Sequence, residues 1–291
     1  FVPLSKAKVP ITTHATHYGT SIFEGIRGYW SSKNLYIFRL NDHVKRFRNS
    51  GKFYNITFNF SDKQIENAVL NLCKKNKIKE SCYIRPFYFV GQYGINLHVT
   101  KKAPTHVAMF SFPFGDLFNK NGITATISKW RKFSDLSTPI QAKMGGNYLN
   151  SVLATQDAKQ KGFDEAILLD QSGNVSEAPG ENIFLVKNNK LITPTLSASA
   201  LDGITQNSII TLVKDMNLKV KARKVSKKEL KFADEIFLSG TAAEITPIIK
   251  LDKKKIGDGK VGNITKALMT SYAEIVMNKN KKYSHWLTPV F

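Results

Sequence analysis

Gln141-Ala142-Lys143-Met144-Gly145-Gly146-Asn147-Tyr148 is the stretch on which the fold of this chain turns. Two glycines after the lysine leave room for a bulky ligand, and Asn147 and Tyr148 supply polar groups beside it. The segment joins two regular elements: residues 123–129 alternate as a strand upstream, and residues 146–160 carry helical spacing downstream. Judged by spacing alone, Lys143 reads more readily as a solvated charge than as a catalytic amine. Its neighbours along the chain must decide between the two.

Upstream of this segment the sequence mixes strands and helices, an α+β pattern. Residues 35–40 read as a strand, and residues 42–53 as a helix that turns Val44 and Phe47 inward. Ser61 is the expected N-cap of a helix over residues 62–76, in which Ile65, Ala68, Val69 and Leu72 recur at helical spacing. Residues 82–90 and 106–112 hold the aromatic and β-branched side chains that strands favour. Between Phe114 and Gly122 the composition turns polar and glycine-rich, which places a linker at residues 116–122. A small α/β domain over residues 1–115 and a larger domain over residues 123–291 follow from that boundary. In the latter, residues 165–169, 182–187 and 235–238 read as strands, and residues 208–216 and 266–278 as helices.

At 291 residues the chain buries a sizeable core without help from staples. Its two cysteines, Cys73 and Cys82, match neither a metal pair nor a Cys-x-x-Cys motif, so no metal site is expected and a reducing compartment, the cytoplasm, is. Apolar runs such as Val107 to Phe110 fall far short of the roughly 20 residues that cross a bilayer. The chain opens on Phe1, as one whose start has been trimmed. Lysine and arginine number 43 against 22 aspartates and glutamates, a formal net charge of +21. These cations are spread along the whole chain, as at Lys101-Lys102 and Lys253-Lys254-Lys255, with no groove-reading module beside them. Specific nucleic-acid binding is therefore not expected, although a basic, non-catalytic binding protein is the competing class.

Gly257-Asp258-Gly259-Lys260-Val261-Gly262 fits a dinucleotide-binding glycine pattern but follows the charged turn Leu251-Asp252-Lys253-Lys254-Lys255 rather than a buried strand. It reads as a surface turn capping the next helix. Ser176-Glu177-Ala178-Pro179-Gly180-Glu181-Asn182 sets two carboxylates in a turn between apolar strands, which either aims one inward or leaves a solvated hairpin. Leu201-Asp202-Gly203-Ile204-Thr205 precedes a helix, where backbone N–H groups and the Thr205 hydroxyl form a candidate anion site, or a plain cap. Ser239-Gly240-Thr241-Ala242-Ala243 is a run of small residues after a strand, a place for close backbone approach. Arg46 lies on the helix over residues 42–53, and Tyr83 and Arg85 share one face of a strand.

Together these segments resemble the branched-chain group of the fold-type IV aminotransferases, in that family's order and through nearly the whole chain. The resemblance also rests on His17-Tyr18-Gly19-Thr20-Ser21-Ile22-Phe23-Glu24-Gly25-Ile26-Arg27, on Tyr83-Ile84-Arg85-Pro86 and on Ser239 through Pro247. It implies a two-domain fold with a small α/β domain and a larger pseudo-barrel domain. The implied activity is transamination between branched-chain L-amino acids and 2-oxoglutarate with pyridoxal 5'-phosphate, held on Lys143 as a Schiff base. By the same resemblance Glu177 meets the ring nitrogen, Tyr148 the phenolic oxygen and Leu201 one ring face. Arg46, the N–H groups of Ile204 and Thr205, and the Thr241 hydroxyl take the phosphate. Thr241, Ala242 and Tyr83 meet the substrate carboxylate, while Phe23, Gly25 and Tyr18 line the side-chain pocket, Tyr18 from the partner of a homodimer or larger homo-oligomer. Arg85 is the expected cation for the second carboxylate of glutamate. D-amino acid aminotransferase and aminodeoxychorismate lyase share the scaffold and form the alternative. Phe114 and Leu117 depart from the family pattern, where Trp and Tyr are common.

Overall fold

The structure, a computed structural model, describes residues 1–54 and 58–291. Two compact units emerge. The first comprises Phe1–Gly115 with Ala142–Gly146 and Lys281–Phe291, and the second Asp116–Gln141 with Asn147–Asn280.

The first unit is built on a six-stranded antiparallel sheet. Its longest member, Cys82–Val90, pairs along its whole length with Thr105–Pro113. On the other edge it pairs first with Ile26–Ser31 and then with Ser21–Phe23, two short strands separated by Glu24 and Gly25. Pro86 lies opposite that gap. Lacking an N–H, it cannot donate to the neighbouring strand, and its carbonyl instead accepts from Glu24 N at 2.9 Å. Beneath the sheet, Leu40–Gly51 and Asp62–Lys75 bury Val44, Phe47, Ile65 and Val69 against Ile22, Ile26 and Ile84. Val44 and Phe47 thus point inward as expected, and Ser61 caps its helix through a full capping box with Gln64. The first helix begins at Leu40, two residues earlier than its charge pattern suggests, because Arg39 adopts a left-handed cap and reaches forward to Asp42.

The linker boundary at residues 116–122 assigns residues 281–291 to the larger domain. Instead Leu287–Pro289 pairs with Asn34–Phe38, and Val290 joins the first unit's core. A three-residue strand carries no periodicity of its own, so only its partner reveals it.

The second unit is an eight-stranded mixed sheet in the order Lys219–Ala222, Lys190–Thr193, Asn182–Lys187, Glu235–Gly240, Glu244–Leu251, Ile123–Arg131, Glu165–Leu169, with Lys254–Lys255 pairing beside Glu244–Leu251. The Ile123–Arg131 strand runs parallel to both its neighbours, and its register with Glu165–Leu169 shifts between Ile127 and Arg131. Tyr148–Gln160 lies on this pair, where Ala154 and Ala158 meet Ala166 and Leu168, and small side chains allow the helix a close approach. Ile204–Asp215 starts four residues before the expected helix because Gly203 is its N-cap and the polar first turn hides its start. The glycine-rich decoy is a turn, and Gly262 caps Asn263–Val276. No helix among the described residues is long and apolar enough to cross a membrane.

Candidate active site

In the first unit the interruption at Glu24-Gly25 has a structural purpose that the local pattern conceals. With the ladder broken, the Glu24 side chain turns into the core, where it is fully buried. Arg46 donates Nε to Oε1 at 2.6 Å and Nη2 to Oε2 at 2.9 Å, and His43 Nδ1 lies 2.7 Å from Oε2. Burial pushes the Glu24 carboxyl up, but Arg46 and His43 outweigh it and hold it well below the usual carboxylate range. His43 is lowered, chiefly by its own burial, and its Nδ1 faces Glu24; its Nε2 has no hydrogen-bond partner among the described residues.

Lys143 belongs to this group. Its carbonyl accepts from Phe23 N at 3.0 Å, and its N–H donates to Ser50 Oγ at 2.9 Å, while Ser50 Oγ donates to the Arg46 carbonyl at 3.0 Å. Lys143 is thereby tied to both the Ser21–Phe23 strand and the helix bearing Arg46. Gly146 N donates to Gly19 O at 3.2 Å, and a Cβ on Gly145 would collide with Ser21. The two glycines therefore serve a backbone crossing, not ligand room alone. The Lys143 amine lies 5.1 Å from the Phe23 ring. Burial foremost, then the Arg46 charge, lowers it to about 8 from an ordinary 10.5, against the opposing pull of Glu24 and Tyr83.

Tyr83 and Arg85 do share a strand face, and Arg85 Nη2 donates to Tyr83 Oη at 3.0 Å. The Arg85 guanidinium lies 4.6 Å from the Phe23 ring centroid, so Phe23, Tyr83, Arg85 and Lys143 are gathered at one place. Gly25 is required there by space: a Cβ would fall on the Tyr83 hydroxyl. Tyr18 is exposed at the end of a short helix and donates to the Ile95 carbonyl at 3.2 Å.

The remaining candidate residues belong to the second unit, where Leu201 lies against Glu177. The turn aims this carboxylate inward, settling the choice between an inward acid and a solvated hairpin: Glu177 is buried, and Lys132 Nζ lies 2.6 Å from its Oε1. Its Oε2 accepts from Leu201 N at 2.9 Å and Asn182 Nδ2 at 3.3 Å. Asn182 is the hub of this group. It also donates to Leu201 O at 2.9 Å, pairs across the sheet with Ser239, and touches Gly203 so closely that no Cβ fits. Gln141 clamps the same loop, donating to Ala200 O at 2.7 Å and accepting from Asp202 N at 3.1 Å. Ile204 and Thr205 are buried in the first turn of their helix, whose leading N–H groups have no partner within the helix. Thr241 and Ala242 lie half-buried in the turn after Glu235–Gly240, and Tyr148 opens its helix.

Sequence reasoning missed Glu24, His43, Lys132 and Asn182 as members of these groups. Glu24 and Asn182 stood inside the quoted motifs; Lys132 gave no signal among so many lysines.

The Amino-transferase class IV family matches residues 21–251. The probable branched-chain-amino-acid aminotransferase of Aquifex aeolicus is 40% identical, covering 100% of this chain and 94% of its own length. That of Salmonella typhimurium is 39% identical over 98% of this chain and 93% of its own. Among solved structures, the branched-chain aminotransferase of Thermoproteus uzoniensis with norvaline superposes with a TM-score of 0.96 at 38% identity, covering 100% of this chain and 96% of that one. The branched-chain amino acid aminotransferase of Thermobaculum terrenum in its PLP-form, the holo-form, superposes with a TM-score of 0.94 at 34% identity, covering 100% of this chain and 95% of that one. This chain belongs to the class IV aminotransferases and, within them, to the branched-chain amino acid aminotransferases.

Proposed function

We propose that the chain transfers amino groups between branched-chain L-amino acids and 2-oxoglutarate, with pyridoxal 5'-phosphate resident on Lys143. The observation that carries this reading is the placement of Lys143, whose backbone is tied to Phe23 and to Ser50 on the Arg46 helix and whose amine lies beside the Phe23 ring; burial and the Arg46 charge lower that amine to about 8. A lysine must be neutral to condense with an aldehyde, and burial next to a fixed cation raises the neutral fraction near physiological pH. The cofactor named for the Thermobaculum terrenum holo-form is of this chemistry.

The residues present fit the cofactor. Bound pyridoxal phosphate supplies an aldehyde to capture the amine and a ring that spreads negative charge. Glu177, a buried carboxyl, is suited to a protonated ring nitrogen. Arg46 and the N–H groups of Ile204 and Thr205, with the Thr241 hydroxyl, present charge and dipole to a phosphate. Tyr148 is the partner of the phenolic oxygen, and Leu201, fixed by Glu177 and Asn182, covers a ring face.

Lys143 then has a second task. Released from the cofactor, its amine takes the Cα proton and returns it. Tyr83 and the N–H groups of Thr241 and Ala242 hold the substrate carboxylate, and Phe23, Gly25 and Tyr18 border its side chain. Arg85 meets the second carboxylate of glutamate. We further infer a cytoplasmic homodimer or larger homo-oligomer, with Tyr18 contributed across the subunit boundary.

The test is reconstitution with pyridoxal phosphate and two half-reactions, one with leucine and one with glutamate. Both should convert the bound cofactor stoichiometrically. Conversion by D-alanine and not by leucine would transfer the chain to the D-amino acid alternative.

A further inference from the structure

Lys132 is a buried cation that the roles above leave unassigned. It follows the Ile123–Arg131 strand, where alternation fails: Lys129, Trp130 and Arg131 are exposed in succession and Lys132 is buried. The register shift between Ile127 and Arg131 accounts for this, because an irregularity near a strand end re-aims the next side chain. The backbone is then fixed on both sides. Lys132 N donates to Leu169 O at 2.8 Å, and Gln171 Nε2 donates to Lys132 O at 2.7 Å.

The ammonium so placed lies 2.6 Å from Glu177 Oε1, with side-chain exposures of 11% and 6%. A surface lysine paired at this distance would contribute little, but these two charges share a site with scant solvent. The other oxygen of Glu177 is held by Leu201 N and Asn182 Nδ2. Tyr148 and Glu181 are the further titratable groups that act on Lys132.

We propose that Lys132 is a positioning residue that sets where the proton shared by Glu177 and the cofactor's ring nitrogen resides. This rests on the assignment of Glu177 to the ring nitrogen made above. A carboxylate already bonded to an ammonium through one oxygen is a weaker base, so it leaves the shared proton on the ring. The ammonium would repel a protonated ring as well, but its direct contact with the carboxylate at 2.6 Å is the interaction that the structure builds in. Without the ammonium, a buried Glu177 is a stronger base and draws the proton off the ring. A neutral ring withdraws charge less well, and removal of the Cα proton slows. The Lys132–Glu177 pair is consistent with this arrangement before any ligand arrives: burial pushes the lysine down, but Glu177 outweighs it and keeps the lysine raised and charged.

The experiment uses the holoenzyme loaded with pyridoxal phosphate labelled with nitrogen-15 in the ring, and reads the ring nitrogen's chemical shift in wild type, Lys132→Gln, Lys132→Arg and Glu177→Gln. Lys132→Gln keeps a hydrogen-bond donor without charge and should move the shift toward that of neutral pyridine. It should also lower kcat for leucine by roughly tenfold with KM little changed. Lys132→Arg should restore both. The cofactor-free Lys132→Gln protein should show a protonated-carboxyl infrared band that disappears in Lys132→Gln/Glu177→Gln. A ring shift that responds to Glu177→Gln but not to Lys132→Gln overturns the role of Lys132 alone. One that ignores Glu177→Gln as well removes the assignment on which it stands. A stability loss in Lys132→Gln with an unchanged ring shift reduces the lysine to a structural counter-ion.

Discussion

Glu24 and Arg46 form a two-pronged pair, at 2.6 and 2.9 Å, in which the carboxylate is fully buried and the guanidinium nearly so. The arginine assigned to a phosphate is thus anchored by an acid. Anchoring of this kind keeps a planar donor fork in one orientation before an anion arrives, which removes part of the ordering cost of binding.

Removing that acid should be expensive. Glu24→Gln leaves Arg46 and the proton of His43 without a counter-charge in the core, and a buried pair broken on one side typically loses about 3–5 kcal/mol. Urea unfolding of the cofactor-free protein measures this. The contribution of Glu24 is fully present above its unfolded value of 4.5 and is lost as pH falls below it, because its folded value is depressed. The gap between wild type and Glu24→Gln should therefore narrow in acid, and a gap of less than about 0.5 kcal/mol at neutral pH would mean the pair adds nothing.

Lys143 gives a stability signature of opposite direction. Its folded value of about 8 lies below the unfolded 10.5, so between these the unfolded chain binds more protons. The cofactor-free protein should gain stability from this group as pH rises from about 8 to 10.5, and hold that gain above. Comparison of urea midpoints for wild type and Lys143→Met across this window isolates the effect from the other lysines. Parallel curves would show an ordinary, solvated amine.

Arg85 should separate the two substrates. Arg85→Met is expected to weaken glutamate and 2-oxoglutarate by about 2–3 kcal/mol in kcat/KM, the scale of a lost charge-assisted pair, with leucine and isoleucine affected much less. Single-turnover rates with leucine and with glutamate decide it. Equal losses would assign Arg85 to holding Tyr83 and Phe23, which it also touches.

Space alone predicts the outcome at Gly25. Gly25→Ala places a methyl on the Tyr83 hydroxyl, so the tyrosine must move or the strand must shift. KM for leucine should rise well before global stability falls. A variant with unchanged KM would show that Tyr83 yields without consequence.

Much of this was legible in the chain itself. The helix that buries Val44 and Phe47, the cap at Ser61 and the strand Cys82–Val90 announce themselves by period and residue type. Lys143 and Glu177 are singled out only by the family resemblance that their motifs carry; spacing alone reads them as a solvated charge and a surface turn. What stayed hidden depends on partners distant in sequence. Leu287–Pro289 is a strand only because Asn34–Phe38 accepts it, and Glu24 is an inward acid held by Arg46 and His43, both distant in sequence. Lys132 was invisible for a further reason: an irregular register, not a residue pattern, turns it from surface to core.

The central claim is that Lys143, and no other lysine, holds the cofactor. Reduction of the pyridoxal-phosphate-loaded protein with borohydride, followed by mass mapping of peptides, tests it directly. One reduced pyridoxyl group per chain, on the peptide containing Lys143, is the expected result, with the visible absorption lost at the same time. Label scattered over several lysines, or located wholly elsewhere while Lys143 stays unmodified, would contradict the account.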